Sequence, residues 1–392
     1  METDNPTAIQ PVPPKPKRRW YQYSLRTLMI VVTLFAVACS WFAVKMQQAR
    51  RQREAAEALL KLGGSVGYDY EMNSKGFRIR GIKTPGPEWL RKLLGNDFFN
   101  NVVYVNLTGL ELTFDMKGRI EAQGPVKRSG LAVTDAGLEQ LEELKQLQIL
   151  KVSKTQITDA GLEHLEELKQ LKVLLLDETN VTDIGLKNLK GMSQLQDLYL
   201  NGTHVTDAGL EHIKGLNQLQ NLRLGETKIT NAGLEQLKGL KQLRILWLDN
   251  TQITDSGLKH IEGLNQLTLL VLDETQITDS GLKYLEGLRQ LECLDFNQTN
   301  ITDAGLEHLK GLTQLYTLDL KETQVTDAGL EQLKGLTRLH NLNLSNTKIT
   351  DAGLEHLKGL TKLESLDLNK TKVTDDGVQN LQQALPKLKI KR

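Results

Sequence analysis

A five-residue phrase, Thr-Asp-x-Gly-Leu, returns every 24 residues through the carboxy-terminal two thirds of this chain. It begins at Thr134, Thr158, Thr182, Thr206, Thr230, Thr254, Thr278, Thr302, Thr326, Thr350 and Thr374, and only Asn231 for Asp and Val378 for Leu break it. A period this strict constrains the fold more than composition does. A 24-residue unit cannot bury its own apolar side chains, so successive units must stack and share one core. In the unit ITDAGLEHLEELKQLKVLLLDETN, residues 157–180, Leu174 and Leu176 alternate with outward residues, as a strand with one buried face does. Leu162, Leu165 and Leu168 recur every three residues, which is helical or 3₁₀ spacing. The Thr158 hydroxyl is placed to cap that helix and the Asp159 carboxylate to offset its dipole. Thr179 and its counterparts after each strand offer a hydroxyl that satisfies backbone groups at the turn. No proline occurs between Pro125 and Pro386, as parallel ladders require. The last unit, LQQALPKLKI, has one extra residue before Leu388 and reads as a closing strand and cap.

In such a stack the strands line one concave face at about 4.8 Å per rung, so the array spans about 50 Å. That surface suits an extended partner such as a protein. The outward strand positions carry two apolar clusters. Val173, Leu175 and Tyr199 form the smaller; Ile245, Trp247, Leu269 and Val271, flanked by Asp249 and Asp273, form the larger. Solvent-facing apolar clusters with a tryptophan are what interfaces use as anchors, so these nine residues are the candidate binding residues. The plainer alternative is surface apolarity tolerated by a leucine-rich chain.

Enzymatic and metal chemistry find little here. Asp249 and Asp273 on adjacent rungs set carboxylates roughly 5 Å apart, a spacing retaining glycosidases use, but no substrate pocket accompanies them. His164, His212, His260, His308 and His356 recur on alternate rungs of the helical side, about 10 Å apart, too far to share a metal. Glu178, Glu226, Glu274 and Glu322 keep the same doubled period, which points to growth by duplication of two-unit blocks. No phosphate loop or nucleophile motif occurs, so the expectation is a non-enzyme with no cofactor and no metal. With 49 Lys and Arg against 48 Asp and Glu, the chain has no polycationic character to hold nucleic acid. Cys39 and Cys293 lie too far apart in sequence and setting to build a disulfide framework.

The amino-terminal third is organised differently. Residues 1–26 hold Pro6, Pro11, Pro13, Pro14 and Pro16 and then turn basic, which predicts a disordered tail. Residues 27–44, TLMIVVTLFAVACSWFAV, carry no charge and as a helix span about 27 Å, enough to cross a bilayer core. Trp20, Tyr21, Tyr23 and Trp41 stand where interfacial aromatics would. Cleavage after Ala36-Val37-Ala38 and lipidation of Cys39 are alternatives, but Trp41-Phe42-Ala43-Val44 continues the apolar run past both sites. Lys15, Lys17, Arg18, Arg19 and Arg26 are matched by Lys45, Arg50, Arg51, Arg53 and Lys61, so the positive-inside rule ties. The short amino tail then favours the cytoplasm for itself and the outside for the repeats. Residues 45–62 predict a juxtamembrane helix with a thin stripe of Ala56, Leu59 and Leu60, stopped by Gly63-Gly64. Residues 63–130 do not repeat and read as an amino-terminal cap, with a helix over Pro87–Leu94, a strand over Val102–Leu107 and a loop over Thr113–Gly130.

Over residues 131–392 the pattern Leu-x-x-Leu-x-Leu-x-x-Thr-x-Ile-Thr-Asp-x-Gly-Leu resembles the leucine-rich-repeat family. Its Ile-Thr-Asp-x-Gly-Leu stretch is similar to the cysteine-containing subclass found in F-box proteins, with Thr where that subclass has Cys and a shorter unit. The resemblance implies an α/β solenoid, with parallel strands on the concave face and short helices on the convex face, after one transmembrane helix. It also implies protein–protein recognition through the concave face. The layout is similar to that of bacterial membrane-anchored leucine-rich-repeat proteins. No F-box stretch is present, so a ubiquitin-ligase role is not implied. The expected function is a single-pass, membrane-anchored recognition scaffold whose protein partner the sequence does not name. A structural or self-assembling cell-envelope protein is the alternative.

Overall fold

The computed structural model describes residues 25–72, 84–108, 110–114, 120–125 and 133–392. The expected disordered tail therefore lies outside the described residues up to residue 24. The chain divides into two compact units, Met1–Gln48 and Ala49–Arg392. In the first, the described residues are the leading part of helix α1 (Leu25–Lys61). Its large apolar side chains, among them Leu28, Ile30, Phe35, Trp41 and Val44, are exposed.

The second unit is built on a 13-stranded sheet. It opens with β1 (Ser65–Tyr68) antiparallel to β2 (Val102–Asn106). From β2 onward every neighbour is parallel. The parallel run comprises β5 (Ile149–Lys151), β6 (Val173–Leu175), β7 (Asp197–Tyr199), β8 (Asn221–Arg223), β9 (Ile245–Trp247) and β10 (Leu269–Val271), then β11 (Cys293–Asp295), β12 (Thr317–Asp319), β13 (Asn341–Asn343), β14 (Ser365–Asp367) and β15 (Lys389–Lys391). Between β2 and β5 a separate antiparallel hairpin pairs β3 (Leu110–Phe114) with β4 (Ile120–Pro125). The sequence reading expects a loop from Thr113, and the hairpin corrects it. Leu110, Leu112 and Phe114 alternate with polar residues, a period-two signal that overall polarity masks.

Each rung returns to the sheet through a short helix, α-helical or 3₁₀, such as Asp183–Leu186 followed by Lys187–Leu189. The repeated leucines form one continuous core that runs from Ala55 to Leu388. Its aliphatic character follows from the sequence: identical leucines at identical heights interdigitate with little change from rung to rung. The threonine after the strand is buried in the inner rungs and partly buried at Thr155 and Thr371, and its hydroxyl donates to the carbonyl three residues back, as Thr179 does to Leu176 at 2.7 Å and Thr275 to Leu272 at 2.6 Å. The residue before that threonine takes positive φ: Glu178 at 53°, Glu274 at 52°, Gly202 at 64°. A non-glycine residue in this region costs about 1–2 kcal/mol. It is held there because its N–H bonds the next rung, as Glu178 does to the Asn201 carbonyl at 2.7 Å.

The Thr-Asp-x-Gly-Leu phrase joins rungs as well as starting helices. The Thr hydroxyl caps its own helix in several rungs, accepting from the N–H two residues on, as Thr182 does from Ile184 at 3.2 Å. The Asp does more than offset a dipole. Asp183 Oδ1 accepts the Thr206 backbone N–H at 2.7 Å and its Oδ2 accepts the Thr206 hydroxyl at 2.7 Å, one rung on. The same pair of bonds recurs from Asp135–Thr158 to Asp351–Thr374. Asn231 substitutes for Asp by accepting the Thr254 N–H at 2.9 Å and donating its amide to the Thr254 hydroxyl at 2.7 Å. The invariant glycine makes room for this carboxylate: a Cβ at Gly209 would stand 2.5 Å from Asp183 Oδ1.

The amino-terminal edge of the core is closed by residues 49–61 of α1 together with β1 and β2. Ala49, Gln52, Ala55, Ala56 and Leu59 are buried at helical spacing, whereas Leu60 is half exposed. Gln52 is a polar clamp within this contact. Its amide nitrogen donates to Asp97 Oδ1 at 3.2 Å and to the Asn100 carbonyl at 2.9 Å, and its oxygen accepts the Val102 N–H at 3.2 Å. Helix α2 (Glu88–Leu94) starts after Pro87 and stops at Gly95, as the sequence predicts. At the other end the closing helix lengthens to Asp375–Ala384 and β15 completes the sheet.

Candidate functional site

The candidate residues lie on the parallel strands in register, except Asp249 and Asp273, which stand two residues past β9 and β10. Trp247 is level with Arg223 on one side and Val271 on the other, and Ile245 is level with Asn221 and Leu269. Ile245, Trp247, Leu269 and Val271 are partly exposed, as are Val173, Asp249 and Asp273. Leu175 and Tyr199, expected to face solvent, are buried at 2% and 7% exposure. The correction has a steric cause. Leu175 sits between Lys151 and Tyr199 on adjoining rungs, and the Arg223 guanidinium covers the Tyr199 ring at 4.1 Å.

That guanidinium is the organising group of the surface. It lies 4.1 Å from the Tyr199 ring centroid and 4.3 Å from that of Trp247, stacked between the two. Such contacts are worth about 0.5–2 kcal/mol each, more when desolvated. The arginine is 9% exposed. The sequence reading singled out Tyr199 and Trp247 but not Arg223 between them; an arginine between two aromatics at 24-residue spacing was the available signal. Trp247 Nε1, Arg223 Nε and Asp249 Oδ1 are buried atoms that make no hydrogen bond. Asp249 leans over Gly225, where any Cβ would collide with its carboxylate.

Electrostatics divide the face. Towards the amino end, burial holds the Lys151 ammonium down to about 8 and pushes Asp197 up to about 6, the latter opposed by a hydrogen bond from Asn221 and by Arg223. From β9 to β12 the charge is acidic. Burial raises Asp249 and Asp319 above the usual carboxylate range. Asp295 is raised most, by burial first, then by its hydrogen bond to Asp273 and the nearby Asp319. Asp273 accepts the Asn297 N–H at 3.1 Å, and Asp319 accepts the Asn343 amide at 2.8 Å. The sequence reading did not single out Asp295 and Asp319, which stand level with Trp247 and Val271, two residues before the repeat position of Asp249 and Asp273.

On the helical side, His164 contacts Glu142 at 2.7 Å and His308 contacts Glu286 at 2.6 Å, each reaching one rung back. Among the described residues no three His, Cys, Asp or Glu side chains are gathered as a metal site would require.

Residues 224–392 match the model of a leucine-rich repeat region. No curated protein matches the chain in sequence. Among solved structures, an internalin from Listeria monocytogenes is similar, with 27% identity and a TM-score of 0.54 over 64% of this chain and 76% of that one. A leucine-rich-repeat protein from Leptospira interrogans shares the fold, with 20% identity and a TM-score of 0.51 over 65% of this chain and 74% of that one. The parallel sheet, the short return helices and these matches agree: the repeat domain of this chain has the leucine-rich-repeat solenoid fold, with residues 224–392 matching the leucine-rich-repeat model itself.

Proposed function

We propose that the protein is a membrane-held recognition scaffold that binds a protein partner through the sheet face around Trp247. Leucine-rich-repeat folds serve generally as protein-interaction scaffolds, which supports the class of function. The observation that carries the specific reading is the partly exposed strip of Ile245, Trp247, Leu269 and Val271, whose tryptophan is fixed by Arg223. A rigid, partly exposed tryptophan within an apolar patch is the kind of side chain binding hot spots favour. Trp247→Ala is expected to weaken capture of crosslinked partners by about tenfold or more while leaving the melting profile cooperative. Unchanged capture rejects the assignment.

The membrane tether rests on Thr27–Val44. This stretch lies in the one helix among the described residues that is long and apolar enough to cross a bilayer, and none of that helix's apolar window is buried in protein. The repeats are assigned to the extracytoplasmic side. A cysteine placed at Lys190 in a Cys293→Ser background is expected to react with a membrane-impermeant maleimide on intact cells. Labelling only after lysis reverses the orientation, and a mature chain beginning beyond residue 38 replaces the tether with a cleaved signal.

A further inference from the structure

We infer that the segment occupying the Trp247 face is an extended polypeptide that sets lysine or arginine side chains beside apolar ones. The inference rests on the sheet-face reading above and names the chemistry of the partner. Four aspartates occur on the four successive rungs β9 to β12, Asp249 and Asp273 two residues past their strands and Asp295 and Asp319 at the ends of theirs, over roughly 14 Å at the strand spacing. Asp295 keeps a proton beside Asp273, which leaves the other three to carry the charge. No basic side chain among the described residues forms an ion pair with any of them. Elsewhere on the face acid and base are matched: Lys391 meets Asp367 at 3.1 Å, and Arg223 acts on both Asp177 and Asp197. The acidic strip is therefore the part of the face where acid most exceeds base, with Arg223 acting on Asp249 and Lys321 on Asp319, and it adjoins the apolar strip of Ile245, Trp247, Leu269 and Val271.

The geometry selects the occupant. These carboxylates do not converge on one point, so a single metal ion does not answer them. Their sign excludes nucleic acid and acidic peptides, because like charges brought together at an interface are repelled. Cations spread along a line do answer them. In an extended chain, side chains on one side recur about every 6.8 Å, so two or three of them reach a strip of this length. Alternate residues then point toward the apolar side.

The test uses the full-length protein in nonionic detergent and three fluorescent dodecapeptides: alternating Lys and Val, alternating Glu and Val, and alternating Lys and Ser. Anisotropy titration is expected to show the Lys–Val peptide binding about tenfold or more tightly than either of the others, and weakening as salt is raised. Asp273→Asn with Asp319→Asn is expected to lower that affinity about fivefold or more. These substitutions are expected to leave the fold at least as stable, so loss of binding is not loss of structure. The inference is overturned if the Lys–Val peptide does not bind, if the Glu–Val or Lys–Ser peptide binds as well, if the double substitution changes nothing, or if calcium alone binds stoichiometrically at these carboxylates. None of these outcomes touches the Trp247→Ala capture experiment, which judges the sheet-face reading separately.

Discussion

Replacing Gly209 with alanine is expected to destabilise the solenoid by about 3–5 kcal/mol. The added methyl would stand 2.5 Å from Asp183 Oδ1 and 3.0 Å from both Leu186 Cδ1 and Val205 Cγ1. The carboxylate is the least able to yield. It is held by two bonds to Thr206, and moving it leaves the N–H and hydroxyl of Thr206 without their acceptor. Overpacking and lost hydrogen bonds therefore add. At Gly215, six residues on, a methyl would have nothing within 4 Å, so Gly215→Ala is expected to change stability by less than about 0.5 kcal/mol. Thermal melts of the two variants followed by circular dichroism make the comparison. Asp183→Ala in the Gly209→Ala background is expected to cost less than the sum of the single changes, because the colliding oxygen is gone. Equal melting temperatures for Gly209→Ala and Gly215→Ala would remove the steric role given to the invariant glycine.

Asp295→Asn is expected to stabilise the protein by about 1–2 kcal/mol at pH 8, with a smaller gain at pH 5. The folded state holds the Asp295 carboxyl above its ordinary value, through burial and its hydrogen bond to Asp273. Above the unfolded-state value, near 3.8 for a free Asp, the folded chain keeps a proton that the unfolded chain has released. Stability from this group is complete below that value and falls as pH rises, by about 1.4 kcal/mol per unit while the difference persists. The groups facing it act in the same sense: Asp273 from β10 and Asp319 from β12, with Lys321 the one cation near Asp319. An Asn amide can donate to Asp273 without taking up a proton. Melting temperatures from pH 5 to pH 9 should therefore fall less steeply for Asp295→Asn than for the parent chain, and parallel curves would contradict the shared-proton arrangement.

Much of the fold was legible because its determinants are local and repeated. The leucine spacing, the threonine turn and the absence of proline specify one rung, and identical rungs have few ways to stack. The candidate surface was only half legible. Its residues sit where the period puts them, but Leu175 and Tyr199 are hidden by side chains that a single rung does not contain. The same is true of Asp159 and its equivalents. Within one unit such a residue reads as a helix-start acid, and its hydrogen bonds to the following unit appear only when two rungs are set side by side. The hairpin at Leu110–Phe114 was missed for another reason: it has no second copy to reinforce a short, polar signal. Residues 49–61 read as a plain helix, whereas Gln52 becomes informative once Asp97, Asn100 and Val102 are brought to it.

The bonds from Asp to the next Thr give the array a direction and a common joint. Every rung receives on one edge what it delivers on the other, so a block of 24 residues can be inserted or removed and the two new neighbours meet across an unchanged joint. Even the Asn231 joint obeys this, since it offers the same two contacts. Length can thus drift in evolution without redesign of the core, and the outward columns are free to diverge. The chain is a reading frame of interchangeable lines, in which the sentence written on the open face can be lengthened or rewritten while the binding of the page stays the same.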